Sequence, residues 1–237
     1  MSAKQVLMKV ASQAPRMSDV HAAIDRIVAV RQTVPAPRSV LVAITGVDGS
    51  GKGYVTTQIV GALEARGMRP AAINVDGWLN LPRERFNDAD PAEHFYAHAI
   101  RFDDLFARLV LPLRAHRSVR LEVDHAEETA TEYRRHTYEL NDIDVVVLEG
   151  IFLLKRACQA HYDLSFWIDC SFETALERAL ARHQEGLTPE NTVRAYRTIY
   201  FPAQLIHLER DDPKAAATAT IVNDPRLRAP DDPAAHH

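Results

Sequence analysis

The sequence predicts an α/β fold in which helices cover both faces of a mainly parallel β-sheet. Short apolar strands alternate with helical segments along the 237 residues, which is typical of right-handed β-α-β units. The strands are apolar without strict alternation, as in sheets that are buried on both faces. A glycine-rich loop also follows the first strand directly. Ligands of such sheets bind beyond the carboxyl ends of the strands, so we expect the functional site there.

Composition excludes several classes of protein. With 46% hydrophobic and 25% charged residues, the chain is neither disordered, collagen-like nor a disulfide scaffold. A net charge of -4 does not favour a nucleic-acid partner. Cys158 and Cys170 stand outside any metal-type spacing and are expected to be free thiols. We find no apolar run of the ~18 residues that span a bilayer and no signal peptide, so we expect no membrane partner and a cytoplasmic location.

Residues 1–38 are predicted to form an N-terminal helical appendage. Apolar residues recur at helical spacing from Ser18 to Arg31, with Ser18 as the N-cap, and Pro35 and Pro37 end the helix. The pattern leaves open whether this helix packs on the core or pairs with a partner. We expect the main domain over residues 39–224 and a mobile tail over residues 225–237, which are rich in Pro and Asp.

Strands and helices alternate through the main domain, and residues 78–91 and 124–140 are predicted to be irregular. The predicted strands are 39–45, 71–75, 119–123, 144–148, 164–168 and 219–222. The predicted helices are 55–66, 92–114, 172–183 and 189–200, with a break at Gly186 between the last two.

The loop after the first strand matches the pattern G-x-x-x-x-G-K between a strand and a helix. Glycines let successive backbone N–H groups turn inward toward phosphate oxygens, the following helix adds its positive end, and the lysine adds an ammonium group. This predicts a phosphate site. The predicted nucleotide-binding residues are Gly46, Asp48, Gly49, Ser50, Gly51, Lys52, Gly53 and Tyr54.

One position departs from this motif. The residue after the lysine normally carries a hydroxyl that ligates Mg²⁺, and here it is Gly53. Mg²⁺ would then keep an additional water, which it tolerates well. The substitution also fits a chain that binds nucleotide without turning it over, and this alternative stays open.

Two acidic residues follow predicted strands. Asp76 comes after the strand 71–75, and Glu149 follows the run DVVVL. A carboxylate at this edge can accept a proton from a substrate hydroxyl or hold a metal ion through water. We expect both acids to meet the phosphate loop at the carboxyl ends of the strands.

Taken in order, the segments GVDGSGK, VDGW and VVVLEGIF, a helix with Arg178 and Arg182, Tyr196 with Pro202, and a strand ending in VND resemble one group of P-loop kinases. The group contains the uridine kinases, phosphoribulokinases and pantothenate kinases, and the uridine kinases are the most similar. The resemblance extends from about Ser39 to Asp224. It implies the three-layer sandwich of P-loop NTPases with a helical lid.

The resemblance also implies roles for single residues. Asp76 stands where the family has its catalytic base, and Glu149 stands where the family has the glutamate that supports Mg²⁺ and the acceptor. Arg178 and Arg182 stand in the lid helix that presents arginines to the transferring phosphate, and Lys52 completes the predicted catalytic set. ATP is the implied phosphoryl donor. Mg²⁺ is the implied cofactor, held by Asp76 and Glu149 through water.

The acceptor segment is where the likeness is weaker. The family's aromatic-Asp-aromatic segment corresponds to residues 123–125, where Asp124 is kept and both aromatic positions are lost. Trp78, Phe86 and Tyr96 are candidates for an aromatic wall in their place. The predicted substrate-binding residues are Asp76, Trp78, Asp124, Arg134 and Glu149. A nucleoside is the first expectation for the acceptor, and a sugar or a pantothenate-like alcohol stays open.

The hypothesis is therefore an ATP-dependent kinase that transfers a phosphoryl group to a hydroxyl of a small molecule. A nucleotide-binding protein that has lost catalysis is the main alternative. The Asp76-Gly77 edge and the EGI segment argue against a nucleoside monophosphate kinase, and no N-K-x-D signature supports a GTPase. Self-association is left open by analogy with related kinases, and His161, His183 and His207 are interpreted as surface residues.

Overall fold

A five-stranded parallel sheet forms the centre of the protein. The computed structural model describes residues 15–182 and 186–227. The strand order is β2-β5-β1-β6-β7, and all four neighbouring pairs are parallel. The predicted fold class is therefore confirmed. The strands are β1 Val40–Gly46, β2 Pro70–Asn74, β5 Val145–Gly150, β6 Leu164–Asp169 and β7 Ala219–Val222.

The order of the strands decides which strand ends meet. Strand β5 lies between β1 and β2, and Glu149 is in register with Ile44 on one side and with Asn74 on the other. All seven residues of β1 are buried, because helices cover both of its faces. The ends of β1, β2 and β5 therefore lie side by side at one edge.

Helices surround this sheet. They are α1 Met17–Thr33, α2 Lys52–Glu64, α3 Pro82–Arg85, α4 Pro91–His98, α5 Phe102–Leu105, α6 Leu111–His116, α7 Arg156–Gln159, α8 Phe172–Arg182, α9 Pro189–Ala195, α10 Phe201–Asp211 and α11 Pro213–Ala216. In β1, Val42 and Ile44 face the layer of α1 and α2, whereas Leu41 and Ala43 face the opposite apolar layer.

Helix α1 packs on the core, which settles the question that the sequence left open. Val20, Ile24 and Ile27 are buried in the same apolar cluster as Ile59 and Leu63 of α2. The helix begins at Met17 and follows Arg16, so Ser18 is not its N-cap. Residues 1–14 and 228–237 lie outside the described residues, and the boundaries of the appendage and the tail stay predictions.

The single helix predicted over residues 92–114 is wrong. Helix α4 ends at His98, Ile100 forms a β-bridge with Leu79, and a new helix begins at Phe102. A π-helical turn over Phe106–Val110 then leads into α6. Pro112 follows this turn, and its missing N–H explains why the regular hydrogen-bond ladder gives way there.

The helix predicted to end at Tyr200 is also too short. A π-helical turn over Tyr196–Tyr200 joins α9 to α10, so the helical path runs on to Asp211. Pro202 follows this second π turn, as Pro112 follows the first. The extension brings Gln204 of α10 into one cavity with Asp76 and Glu149.

Residues 124–140 are not irregular throughout. Strand β4, Arg134–Leu140, pairs antiparallel with β3, Val119–His125, in a separate two-stranded ribbon. The ribbon is anchored by Tyr138, whose ring stacks on Trp78 at 6.2 Å. Four of the seven β4 residues in the sequence RRHTYEL are charged or imidazole side chains, so the strand lacks the apolar signal on which the prediction depended.

His207 is buried, so its interpretation as a surface residue is wrong. Its Nδ1 lies 2.7 Å from Asp211 Oδ2, and burial lowers the pKa of His207. His161 is partly exposed, and His183 lies outside the described residues. No helix in residues 15–182 or 186–227 is long and apolar enough to cross a membrane.

Candidate active site

The phosphate loop runs from Gly46 to Lys52, between β1 and α2. Gly49 and Gly51 adopt positive φ angles of 78° and 88°, the left-handed region that glycine enters without a steric penalty. A Cβ atom on Gly51 would lie 2.3 Å from the Nδ2 atom of Asn223. That amide donates a 2.7 Å hydrogen bond to the carbonyl of Ser50. Asn223, directly after β7, therefore holds the loop in the shape that the glycines permit.

Lys52 begins α2 and is 7% exposed. Its ammonium group donates a 3.1 Å hydrogen bond to the carbonyl of Val47, across the loop. The positive end of α2 and this ammonium group thus face the same concave surface. The arrangement suits the terminal phosphates of a nucleotide.

Asp76 and Glu149 lie next to this loop. Asp76 stands in a 3₁₀ turn directly after β2, and the side chain of Asn74 accepts a 2.8 Å hydrogen bond from its backbone N–H. Glu149 stands near the end of β5. Burial raises the pKa of both carboxyl groups, while the charge of Lys52 opposes the rise. Asp48 raises both pKa values further, because it adds a third negative charge.

These groups share one cavity of about 390 Å³. The phosphate loop and the acids form one part of its lining, and the contacting rings of Phe86, Phe95 and Tyr200 form another, which we call the apolar end. The lining residues are Asp48, Gly49, Gly51, Lys52, Gly53, Tyr54, Asn74, Asp76, Leu79, Arg85, Phe86, Phe95, Glu128, Glu149, Ile151, Arg182, Tyr200 and Gln204.

The two arginines of α8 have different surroundings. Arg182 lines the cavity, and its guanidinium lies 3.5 Å from Asp48. Arg178 lies beside the loop, where Nη1 donates a 3.1 Å hydrogen bond to the carbonyl of Ser50. The hydroxyl of Tyr196 bonds to Asp48 from the following helical segment. Arg182 therefore lies at the cavity, whereas Arg178 is bonded to the phosphate loop.

Three of the predicted substrate-binding residues lie away from the cavity. Trp78 is fully buried, and its Nε1 donates a 3.2 Å hydrogen bond to the hydroxyl of Tyr138. Asp124 forms a 2.7 Å ion pair with Arg135, and Arg134 is exposed on β4. Side chains alternate along β3, so Asp124 points away from the face on which His125 lines an adjoining cavity.

The structure adds residues that the sequence did not single out. Arg85, Phe95, Tyr200 and Gln204 line the apolar end of the cavity, together with Phe86. Tyr96, the third candidate for an aromatic wall, instead donates a 2.7 Å hydrogen bond from its hydroxyl to Asp211. Had the helix predicted over residues 189–200 been extended by one turn, Gln204 would have been a candidate site residue, because it lies on the same helix face as Tyr200.

The donor set fits Mg²⁺, which prefers carboxylate and water oxygens. A Cβ atom on Gly53 would lie 3.9 Å from Glu149 Oε2, so this carboxylate faces the place where the motif's hydroxyl would stand. Within the described residues, no group of three His, Cys, Asp or Glu side chains is arranged to hold a metal alone. A cation here would depend on phosphate oxygens and water for its other ligands.

Comparison with known proteins gives a consistent result. The profile of the family described as phosphoribulokinase / uridine kinase matches residues 41–194. A uridine kinase of Limosilactobacillus reuteri is 26% identical over 164 residues, covering 67% of this chain and 72% of that protein. A uridine kinase of Staphylococcus epidermidis is 25% identical over 170 residues, covering 70% of this chain and 79% of that protein.

Two solved structures have similar folds. One is a Bacillus stearothermophilus protein described as a possible uridine kinase, with a TM-score of 0.63, 18% identity, and coverage of 83% of this chain and 97% of that one. The other is D-glycerate 3-kinase from Cryptococcus neoformans, with a TM-score of 0.62, 12% identity, and coverage of 89% and 97%. At these identities the likeness is one of fold.

Proposed function

The chain belongs to the phosphoribulokinase / uridine kinase family, and we propose that it transfers the γ-phosphate of ATP to a hydroxyl of a small molecule. The observation that carries this proposal is the cavity in which Asp76 and Glu149 lie beside Lys52 and the phosphate loop. One end of the cavity suits phosphates, and the other end has room for an organic acceptor.

Each of these residues has a separate role in the proposed phosphoryl transfer. The loop amides and Lys52 hold the triphosphate, and Asp76 accepts the proton of the acceptor hydroxyl. The hydroxyl oxygen bonds to the γ-phosphorus as the bond to the β–γ bridging oxygen breaks, and ADP leaves. Arg182 neutralises charge on the transferring group. Because the transition state is loose, alignment and charge neutralisation supply most of the catalysis.

Mg²⁺ fits the same site and would be held by Asp76 and Glu149, largely through water. When bound, it neutralises charge on the β- and γ-phosphates. The raised pKa values of the two acids fit such a role, because an arriving cation replaces the solvation that burial removed.

The acceptor is the finer part of the proposal. Uridine is the acceptor that the names of the curated relatives suggest. Pantothenate and sugar-type alcohols are the alternatives that the sequence leaves open. Phe86, Phe95 and Tyr200 offer apolar walls to any of these molecules.

A second candidate is a nucleotide-binding protein without turnover. Gly53 is the observation that favours it, because the motif's Mg²⁺-ligating hydroxyl is absent. The two candidates share ATP binding and differ in the product.

Calorimetry with ATP, with and without Mg²⁺, tests binding first. ADP release is then measured with uridine, pantothenate and sugar alcohols, and products are identified by mass spectrometry. Kinase activity predicts a phosphorylated acceptor, whereas the second candidate predicts tight ATP binding and no product. The absence of any ATP binding would overturn both.

A further inference from the structure

The apolar end of the cavity holds a buried arginine whose donors are only partly used. Arg85 is 4% exposed and ends helix α3. Its Nη2 donates to the backbone carbonyl of Glu128, while its Nε has no hydrogen-bond partner in the described part of the chain. Its guanidinium stacks on Phe86 at 5.1 Å and forms no ion pair with a described carboxylate. A buried cation in this state is costly unless something else neutralises it.

A buried amide shares this end of the cavity. Gln204 is 1% exposed on α10, and neither its Oε1 nor its Nε2 has a hydrogen-bond partner among residues 15–182 and 186–227. It follows Tyr200 by four residues, so the two share a helix face, and both line the cavity. Tyr200 also influences the pKa of Arg85, which places Arg85 near the same face. An unsatisfied buried amide is rare in folded proteins and calls for a ligand or water.

The donors and acceptors of Arg85 and Gln204 indicate the chemistry that would suit them. Arg85 and the Nε2 of Gln204 require acceptor oxygens, and Oε1 of Gln204 requires a donor. A carboxylate supplies two coplanar acceptor oxygens, which suit a guanidinium, and a neighbouring hydroxyl supplies the donor. A second hydroxyl on the same molecule would then be available to Asp76, which lines the same cavity.

We propose that the acceptor is a small hydroxycarboxylate, bound through its carboxylate by Arg85 and Gln204 and phosphorylated on a hydroxyl beside Asp76. This inference rests on the proposed kinase function and names its substrate class. Leu79, Phe95 and Ile151 line the same cavity, whose volume of about 390 Å³ favours a compact molecule.

A pyrimidine base is the rival occupant. The edge of uracil can satisfy both amide atoms of Gln204, but it carries no charge to offset the buried guanidinium of Arg85. Asp76 and Glu128 raise the pKa of Arg85 from a distance, against the lowering by burial, without forming an ion pair with it. The charge of Arg85 therefore favours an anionic acceptor.

Matched acceptors separate these occupants. Steady-state kinetics compare glycerate with glycerol, gluconate with glucitol, and both acids with uridine, while calorimetry measures ATP binding independently. We expect kcat/KM for an acid to exceed that for its matched polyol by about tenfold or more, because the hydrogen bonds are charge-assisted. Preferred turnover of uridine or of a polyol overturns the hydroxycarboxylate class and leaves the kinase function standing. ATP binding without turnover of any acid also overturns it, and a lack of ATP binding removes the kinase function as well.

Variants test the two recognition residues. Gln204→Glu is isosteric and places a second negative charge beside the substrate carboxylate. It should raise the KM for the acid about tenfold and leave the KM for ATP within about twofold. Gln58→Glu makes the same change on α2, in the groove against α1, and should alter neither KM. A folded Gln204→Glu variant, judged by its Tm, with an unchanged KM for the acid would overturn the assignment.

Arg85→Lys provides a second line of evidence should Gln204→Glu fail to fold. It keeps the charge but loses the planar fork that binds a carboxylate through two hydrogen bonds. We expect a higher KM for the acid, with the KM for ATP unchanged. Equal effects on both KM values would show a structural role for Arg85 and overturn its role in recognition.

Discussion

Replacement of Asp76 by asparagine separates its chemical role from its effect on stability. The Asp76→Asn change keeps the shape of the side chain and the backbone hydrogen bond to Asn74, but it removes the proton acceptor. General-base catalysis contributes about 10²–10⁴ in rate, so kcat should fall by about that factor, which corresponds to about 3–5 kcal/mol. The dissociation constant for ATP should change little, because Lys52 and the phosphate loop remain.

The Asp76→Asn change should raise the stability of the fold at neutral pH, although it lowers kcat. Burial raises the pKa of Asp76, so the native state binds more protons than the unfolded chain between the ordinary and the raised pKa. Stability from this group therefore falls as the pH rises through that window. Asparagine carries no such charge, and Asp76→Asn should raise Tm at neutral pH while leaving it nearly unchanged below the ordinary pKa of aspartate.

The activity of the wild type should depend on the protonation state of Asp76. Its kcat should decline as the pH falls below the raised pKa of Asp76, and the residual activity of Asp76→Asn should lack that limb. ADP release across a pH series, with thermal unfolding in the same buffers, measures both effects. Asp88→Asn, an exposed change in the following loop, is the matched control and should leave both quantities unchanged. A kcat for Asp76→Asn within about threefold of the wild type would refute the role of Asp76 as base.

Four further predictions concern the loop, the lid and the core. Gly51→Ala should weaken ATP binding by about tenfold or more in calorimetry, because its Cβ would clash with Asn223 and its φ is 88°; unchanged affinity would contradict the loop geometry. Gly53→Ser should raise kcat and lower the Mg²⁺ concentration at half-maximal rate, and the reverse would show that the glycine is required. Arg182→Ala should reduce kcat more than ATP affinity, and a pure affinity loss would assign it to ground-state binding. Ile59→Ala should lower the free energy of unfolding in urea by about 2–5 kcal/mol, because the side chain is fully buried; a loss below about 1 kcal/mol would contradict its packing.

The features that the sequence predicted well are those in which local pattern and tertiary role agree. The apolar residues of β1 and β5 need burial on both faces, and only a central parallel sheet provides it. The glycine loop, Asp76 and Glu149 stand at the carboxyl ends of β1, β2 and β5, which the strand order places side by side. These residues meet only because β5 lies between β1 and β2. Residues 76 and 149 are far apart in the chain, so the sequence does not show this strand order directly.

The features that the sequence missed depend on contacts between distant segments. Strand β4 is polar and is stabilised by its pairing with β3 and by the contact of Tyr138 with Trp78. His207 is polar but buried, because Asp211 one turn later accepts its hydrogen bond. Gln204 lies on the same buried face of α10, where apolar periodicity gives no signal. The acceptor end of the cavity is built from such residues, which explains why it was the least predictable part of the site.

The arrangement of charges argues for catalysis over nucleotide binding alone. Burial raises the pKa values of Asp76 and Glu149, the charge of Asp48 raises both further, and the charge of Asp76 adds to the rise for Glu149. Buried carboxyl groups with raised pKa values are unfavourable for the fold when charged, and such groups cluster at functional sites. In the proposed function Lys52 and the loop would hold the triphosphate without help from the acids, so binding alone would give no reason to keep buried carboxylates in the same cavity. A Cβ on Gly53 would lie 3.9 Å from the carboxylate of Glu149, so Glu149 would be near enough to help hold Mg²⁺ through water in place of the missing hydroxyl. In the proposed function, Gly53 would therefore change one ligand of Mg²⁺ and leave Asp76 available as the proton acceptor.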